Sequence, residues 1–389
     1  MSGLELQVDL DKIANNATQL VRRCARRQIT VTGVTKALLG APEVAQVLID
    51  AGVGAIGDSR VENIEHMRQA GIHAPMVLLR SPSQSQIEQT VRTAAMTANT
   101  ETVVLEALGA EADRQRCVHD VMLMVELGDL REGLMPAQLD EAVRSALSHP
   151  ALRLRGIGTN LACRSGVEPT THNMAELSML VDSIEDRFGI GIEIVSGGNS
   201  ANLGWAFGHN DLGRINNLRL GESILLGLDP LQRTPIRGLH TDAITMSAEV
   251  IESQRKPSKP WGRRSENAFG EIIDEQDHGD CWQTIFAVGR QDTDPEDLGA
   301  PPGITIIGGS SDHLVTRTDR RMTPGEPVRF RPGYSALLRA ATSPFVSTVF
   351  SSASTTSFDR SLLAGGTANG HGMSLLHRFK AFSRLEPDV

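Results

Sequence analysis

Lysine is scarce in this chain: of 38 lysines and arginines only five are lysines, Lys12, Lys36, Lys256, Lys259 and Lys380. No apolar run approaches the roughly 20 residues of a membrane span, and the first residues, MSGLELQVDLDK, are acidic where a signal peptide would be basic. No membrane association is therefore expected, and the cytoplasm is the expected location. Positive charge is not in excess either. A net charge of −9 and a pI near 5.7 offer no concentrated basic surface for a phosphate backbone, so nucleic-acid binding is not expected. Cysteine is sparse as well. Cys24, Cys117, Cys163 and Cys281 are far apart, with no CxxC and no paired His/Cys spacing, so no metal site is expected and free buried thiols are the simplest reading.

The arginine bias makes the position of one lysine informative. Lys36 ends the apolar stretch Val31 to Thr35, where a desolvated amine can become neutral and attack a carbonyl, as a guanidinium cannot. The alternative is a strand-end lysine that reaches out to solvent.

With 389 residues and 40% hydrophobic content, the chain is long enough for two domains. Eight short apolar runs alternate with amphipathic stretches: Thr30 to Lys36, Ala55 to Ser59, Met76 to Arg80, Met96 to Thr100, Val121 to Leu127, Leu154 to Thr159, Ile192 to Gly197 and Asn217 to Gly221. Helical segments are read at Pro42 to Ala51, Val61 to Gly71, Glu101 to Arg116, Pro136 to Ser148 and Asn173 to Phe188. This is the pattern of repeated βα units and predicts an α/β protein, a (β/α)8 TIM-type barrel. An open doubly wound sheet is the alternative, but no strand is followed by the GxGxxG loop of a dinucleotide fold. A barrel carries its chemistry at the carboxyl ends of its strands. Those positions hold Lys36; Asp58, Ser59 and Arg60; Arg80; Asn99; Glu126, Asp129 and Arg131; Thr159 and Asn160; Ser196 to Ser200; and Arg219 and Gly221.

After about Leu231 the texture changes to a mainly β C-terminal domain, with strands expected at Ala243 to Ile251, Gln283 to Val288, Ile304 to Gly308, Val328 to Arg331 and Tyr334 to Arg339. Glu252 to Asn267 reads as an exposed basic loop. The expected organisation is an N-terminal strand over 1–12 joining the second domain, a barrel over 13–232, a β domain over 233–350, and a polar tail over 351–389 with a short helix at Met373 to Arg384.

Two further groups fit a bound phosphorylated ring. Ser196-Gly197-Gly198-Asn199-Ser200 follows the seventh run and Gly221-Glu222-Ser223 the eighth, where barrels commonly build a phosphate cup from close backbone and a hydroxyl donor. A plain tight turn with a serine cap would look the same. Arg219 ends the eighth run, where a barrel-facing charge is costly without a partner or a task. It would serve the ring nitrogen of pyridoxal 5'-phosphate (PLP) without giving up its proton, which favours proton exchange at an α-carbon. A surface salt bridge is the alternative.

Taken together, Leu6-Gln7-Val8-Asp9-Leu10-Asp11-Lys12-Ile13, Gly33-Val34-Thr35-Lys36, Gly57-Asp58-Ser59-Arg60-Val61-Glu62-Asn63, Gly128-Asp129-Leu130-Arg131-Glu132-Gly133, the SGGNS segment and Leu218-Arg219-Leu220-Gly221-Glu222 resemble the alanine racemase family of fold type III PLP enzymes, most closely its ornithine racemase branch. Asn267-Ala268-Phe269-Gly270 and Gly308 to Leu314 extend the resemblance, which covers about residues 5 to 350. It implies an amino-acid racemase with a PLP Schiff base on Lys36, which is also one catalytic base. It implies further that Arg219 faces the pyridine nitrogen, that Ser200 and Gly221 help hold the phosphate with Tyr334, the chain's only tyrosine, near it, and that Arg131 lies near the substrate carboxylate. It also implies a homodimer with shared active sites.

Racemisation needs acid-base groups on both faces of the α-carbon. Where the family's partner subunit supplies a tyrosine, this chain has Phe269, which cannot transfer a proton. His313 is the candidate replacement, and a core histidine paired with Asp312 is the alternative. Asp312, delivered by a partner, would favour a cationic side chain such as that of ornithine or lysine. Competing functions are a PLP-dependent decarboxylase of basic amino acids, although its Glu-Pro-Gly-Arg phosphate motif is absent, a non-catalytic PLP-binding homeostasis protein, and a barrel that binds a phosphorylated metabolite without PLP.

Overall fold

A computed structural model describes residues 3–272 and 276–352. The polar tail and the helix expected at Met373 to Arg384 lie outside the described residues.

The chain opens with β1 (Glu5–Asp9) and α1 (Leu10–Ala25). Asp9 caps α1 by accepting the Lys12 amide proton at 3.1 Å, and Ile13, Asn16, Ala17, Leu20 and Cys24 form its buried stripe at helical spacing. Eight parallel strands follow: β2 (Thr30–Val34), β3 (Ala55–Asp58), β4 (Met76–Leu78), β5 (Met96–Asn99), β6 (His119–Val125), β7 (Leu152–Thr159), β8 (Ile194–Ser196) and β9 (Asn217–Leu220). They close in chain order into the expected barrel, with β9 pairing back onto β2.

Between the strands run α2 (Pro42–Asp50), α3 (Val61–Gln69), α4 (Ile87–Thr93), α5 (Thr102–Arg114), α6 (Leu139–Ser148), α7 (Thr171–Phe188) and α8 (Leu203–Phe207), with α9 (Glu222–Leu226) after the last strand. Strand β6 shows why its segment read as one apolar run. Val121, Leu123 and Val125 join the large core shared with the helices, while Met122 and Met124 join a separate cluster with Val77, Met96 and Ala98, so both strand faces are covered.

The C-terminal part is a mainly antiparallel sheet of β10 (Ile244–Pro257), β11 (Asp280–Phe286), β12 (Leu298–Gly299), β13 (Ile304–Gly309), β14 (Leu314–Thr318), β15 (Pro327–Pro332) and β16 (Ser347–Ser351). Strand β1 lies in this sheet, antiparallel to β10 and parallel to β16. No helix among the described residues is long and apolar enough to cross a membrane.

Two sequence expectations are corrected here. Tyr334 to Arg339 is not a strand but the start of helix α10 (Tyr334–Thr342), which buries Ala336, Leu337 and Ala340. Its first turn is held by the Asp297 carboxylate, which accepts the Ser335 amide proton at 2.7 Å and that of Ala336 at 3.2 Å. The basic loop begins later than Glu252, because Glu252 to Pro257 continue β10 against β11, where Lys256 is paired with Glu252.

Candidate active site

The carboxyl ends of the barrel strands surround a cavity of about 610 Å³. Lys36, Arg131, Ser200, Arg219, Gly221 and Tyr334 all line it.

Lys36 sits in the turn just after β2. This turn is fixed from the neighbouring strand: the Thr35 hydroxyl donates to the buried Asp58 carboxylate at 2.9 Å, and Asp58 also accepts from the Arg60 amide and Asn63 Nδ2, each at 2.9 Å. Asp58 thus builds the turn beside Lys36. The Lys36 amine has no hydrogen bond or ion pair among the described residues. Burial pushes its pKa below the usual lysine value; Cys163 and Asp58 oppose that shift, and the Arg131 and Arg219 guanidinium groups add to it.

Arg219 is buried at the end of β9. One terminal nitrogen donates to the Thr159 carbonyl at 2.7 Å and to Asn160 Oδ1 at 3.3 Å, and the other donates to the Ser196 hydroxyl. Its Nε has no partner among the described residues. Burial, with Arg131 next in effect, brings its pKa down to about 10, so the guanidinium remains charged at neutral pH.

Ser200 and Gly221 meet directly. The Ser200 hydroxyl oxygen accepts from the Ser223 amide at 3.2 Å and lies 3.4 Å from the Gly221 amide nitrogen, which donates to it. A Cβ on Gly221 would stand 3.1 Å from that of Val34, so glycine permits this close approach. Asn199 caps the turn that opens at Ser200, accepting from the Ala201 amide at 2.8 Å. Tyr334 reaches the cavity from the first turn of α10, and burial pushes its hydroxyl pKa well above the usual tyrosine value.

Several polar residues expected at the strand ends shape loops. Glu126 accepts the amide protons of Gly128, Leu130 and Arg131 at 2.6, 3.0 and 3.3 Å. Asp129 accepts those of Cys163, Arg164, Ser165 and Val167 at 2.8–3.3 Å, which binds the loop after β7 to the loop that carries Arg131. The Arg131 guanidinium is then gripped by Glu132 and donates to Cys163 Sγ at 2.8 Å. Sequence reasoning missed Cys163, and it also expected buried thiols throughout. Of the four, Cys24 is buried, Cys281 is partly so, and Cys117 and Cys163 are exposed, the latter into the cavity.

Asp312, His313 and Phe269 do not line this cavity. Asp312 Oδ1 lies 2.9 Å from His313 Nδ1, and both side chains are exposed, so His313 is not the core residue of the alternative reading. Phe269 lies under the Arg290 guanidinium, 4.6 Å from its ring centroid.

Comparison with known proteins agrees with this architecture. Residues 8–230 match the family described as alanine racemase, N-terminal domain. A lysine racemase of Thermotoga maritima is 36% identical over 349 residues, covering 89% of this chain and 98% of that protein. An ornithine racemase of Acetoanaerobium sticklandii is 32% identical over 348 residues, covering 88% and 98%. Among solved structures, an alanine racemase from Streptomyces lavendulae superposes with a TM-score of 0.69 over 90% of this chain and 97% of that one, a likeness of fold at 16% identity. A family match over more than half of the chain, together with relatives above 30% identity along nearly all of it, establishes that the chain belongs to the alanine racemase family and is an amino-acid racemase.

Proposed function

We propose that this racemase uses PLP held on Lys36 and acts on a basic amino acid, lysine or ornithine. The observation that carries the cofactor assignment is the convergence of Lys36, Arg219, Ser200, Gly221 and Tyr334 on one cavity, from segments spread over nearly three hundred residues.

The residues fit the group. Donors in the cavity lining are left without partners: Arg80 Nε and Asn160 Nδ2 are buried without one among the described residues, and the Arg219 hydrogen bonds use only its two terminal nitrogens. A phosphate and a ring nitrogen supply acceptors. Gly221, with no side chain, lies against Val34 at the cavity wall and keeps its backbone amide beside Ser200. PLP supplies the electron sink that makes the α-C–H bond of a bound amino acid acidic.

The chain's residues would divide the remaining work. Lys36 would anchor the cofactor and take or return the α-proton on its own face, a role suited to an amine that burial drives towards the neutral form. Arg219 would donate to the pyridine nitrogen and keep its own proton. Ser200, Gly221 and Tyr334 would hold the phosphate end, and Arg131, fixed by Glu132, would orient the substrate carboxylate.

The basic substrate rests on the lysine and ornithine racemases to which the chain is similar. Asp312 supports it from within the sequence. In a homodimer with shared sites, this exposed carboxylate on the C-terminal sheet would reach the partner's cavity and pair with a side-chain ammonium.

Borohydride reduction of the PLP-loaded protein followed by peptide mass mapping should place a phosphopyridoxyl group on Lys36; a label on another lysine, or none, overturns the assignment. D-isomer formation from L-lysine, L-ornithine, L-arginine and L-alanine tests the substrate class. A clear preference for alanine overturns that part.

A further inference from the structure

The proposed reaction leaves one position open. Lys36 serves one face of the α-carbon, and Phe269 cannot move a proton on the other. We propose that Cys163 is the acid-base group of the opposite face. This rests on the reading of Lys36 as the cofactor-bearing residue and adds a second proton carrier to it.

Three observations converge on this thiol. First, Cys163 lines the cavity that contains Lys36, and its backbone is held there: the Asp129 carboxylate accepts the Cys163 amide proton at 3.2 Å and that of Arg164 at 2.8 Å. Secondly, Arg131 Nη1 donates to Cys163 Sγ at 2.8 Å. A substrate carboxylate is one bond from the α-carbon. A carboxylate taken up by Arg131 therefore brings the α-carbon next to the sulfur that this guanidinium already touches.

Thirdly, the barrel puts the strands that lead to the two groups nearly across its mouth from each other. Lys36 follows β2 and Cys163 follows β7, and the closed order β2–β9–β8–β7 separates these strands by three steps, where four is the most a ring of eight allows. Arg219 bridges that span from β9 to the end of β7. More than nine-tenths buried, it keeps Nε unpartnered among the described residues, so a flat ligand seated over it lies between the amine and the thiol.

The other protonatable groups of the cavity are less suited. Tyr334 is driven by burial towards its protonated form, Glu132 is held by Arg131, and Glu222 is paired with Arg233 at 3.2 Å. In one direction the α-C–H bond breaks and its proton passes to Lys36 Nζ. The electron pair left behind forms a new C–H bond on the opposite face with the proton of the Cys163 S–H, leaving a thiolate. In the reverse direction the thiolate takes the α-proton and the Lys36 ammonium returns one. No proton is gained or lost over either turnover once amine and thiol have re-equilibrated with solvent.

The test separates inversion from exchange. In D2O, the PLP-loaded Cys163→Ala and Cys163→Ser proteins should interconvert L- and D-lysine about 100-fold or more slowly than the unaltered chain, the usual scale of a missing acid-base group. Both should still wash deuterium into the α-position, with retention, of the one enantiomer that Lys36 serves. Inversion within about threefold of the unaltered chain in either folded variant overturns the proposal, and so does loss of inversion in His313→Ala with Cys163→Ala unaffected.

A second readout does not need turnover. In the protein without cofactor, iodoacetamide should alkylate Cys163 about tenfold faster than the exposed Cys117, and Arg131→Ala should bring the two rates together. Equal rates in the unaltered chain count against the role. If borohydride trapping misses Lys36, the cofactor assignment fails; if trapping succeeds and inversion survives in Cys163→Ala, only the thiol assignment fails.

Discussion

Arg219 and Thr159 tie β9 to β7: the guanidinium at the end of one strand donates to the carbonyl at the end of the other at 2.7 Å, across β8. Charge alone would not do this, because the planar fork reaches Ser196 as well. Arg219→Lys should keep the charge and lose the bridge. Thermal unfolding should report a loss of about 2 kcal/mol, the scale of a charged hydrogen bond removed from a buried acceptor. PLP affinity, followed by absorbance titration, should fall at least about tenfold, since 1.4 kcal/mol is a factor of ten. Unchanged affinity would remove Arg219 from the cofactor site.

Lys36 carries a stability cost that its proposed role explains. Its side chain is half-buried without a described partner, and that desolvation makes its pKa lower in the folded than in the unfolded chain. Between those two values the unfolded chain binds more protons. The cost is therefore full at lower pH and vanishes as pH rises through the unfolded value near 10.5. Lys36→Ala without cofactor should be at least as stable as the unaltered chain in urea at pH 7, with the difference narrowing towards pH 10.5. A less stable variant at pH 7 would mean that the amine has a structural partner.

Gly221→Ala brings a methyl group to 3.1 Å from Val34 Cβ, two residues before Lys36. The expected loss is about 1 kcal/mol from crowding, together with weaker PLP binding. Gly191→Ala, where a Cβ meets nothing within 4 Å, is the control and should stay within about 0.5 kcal/mol. Equal behaviour of the two variants would dismiss the close approach at Gly221.

His119 opens β6, buried, with Nε2 3.2 Å from the Thr97 hydroxyl. Burial lowers its pKa to about 4, against 6.5 for an unperturbed imidazole. The unfolded chain thus takes up a proton between pH 6.5 and 4 that the folded chain refuses, and stability falls as pH falls through that window. The scale is about 3 kcal/mol at 1.36 kcal/mol per pKa unit. Urea midpoints between pH 7 and pH 4 should show this decline, and His119→Gln should flatten it.

Much of the barrel was legible because strands covered on both faces read as uninterrupted apolar runs. All eight lie where the sequence put them, within a few residues at their ends. Lys36, Arg131, Ser200, Arg219, Gly221 and Tyr334 were also named from sequence, and one cavity collects them. Tyr334 to Arg339 was misread because a short Ala/Leu segment fits either a helix or a strand. The deciding contact is the Asp297 carboxylate, nearly forty residues away. Cys163 had no local signal at all, since its place is set by the Asp129 side chain on another loop. Helix α1 escaped because its apolar stripe is diluted by charged and polar residues on the outer face.

Strand β1 bears on how the chain is made. Glu5 pairs with Ser247 on one side and with Ser347 on the other, so the first strand waits for partners more than two hundred residues downstream. On the ribosome the barrel can close early, while β1 has no partner until β10 emerges and keeps one open edge until β16 does. Such distant pairing is slow, and for that interval the exposed strand is open to capture by another nascent chain.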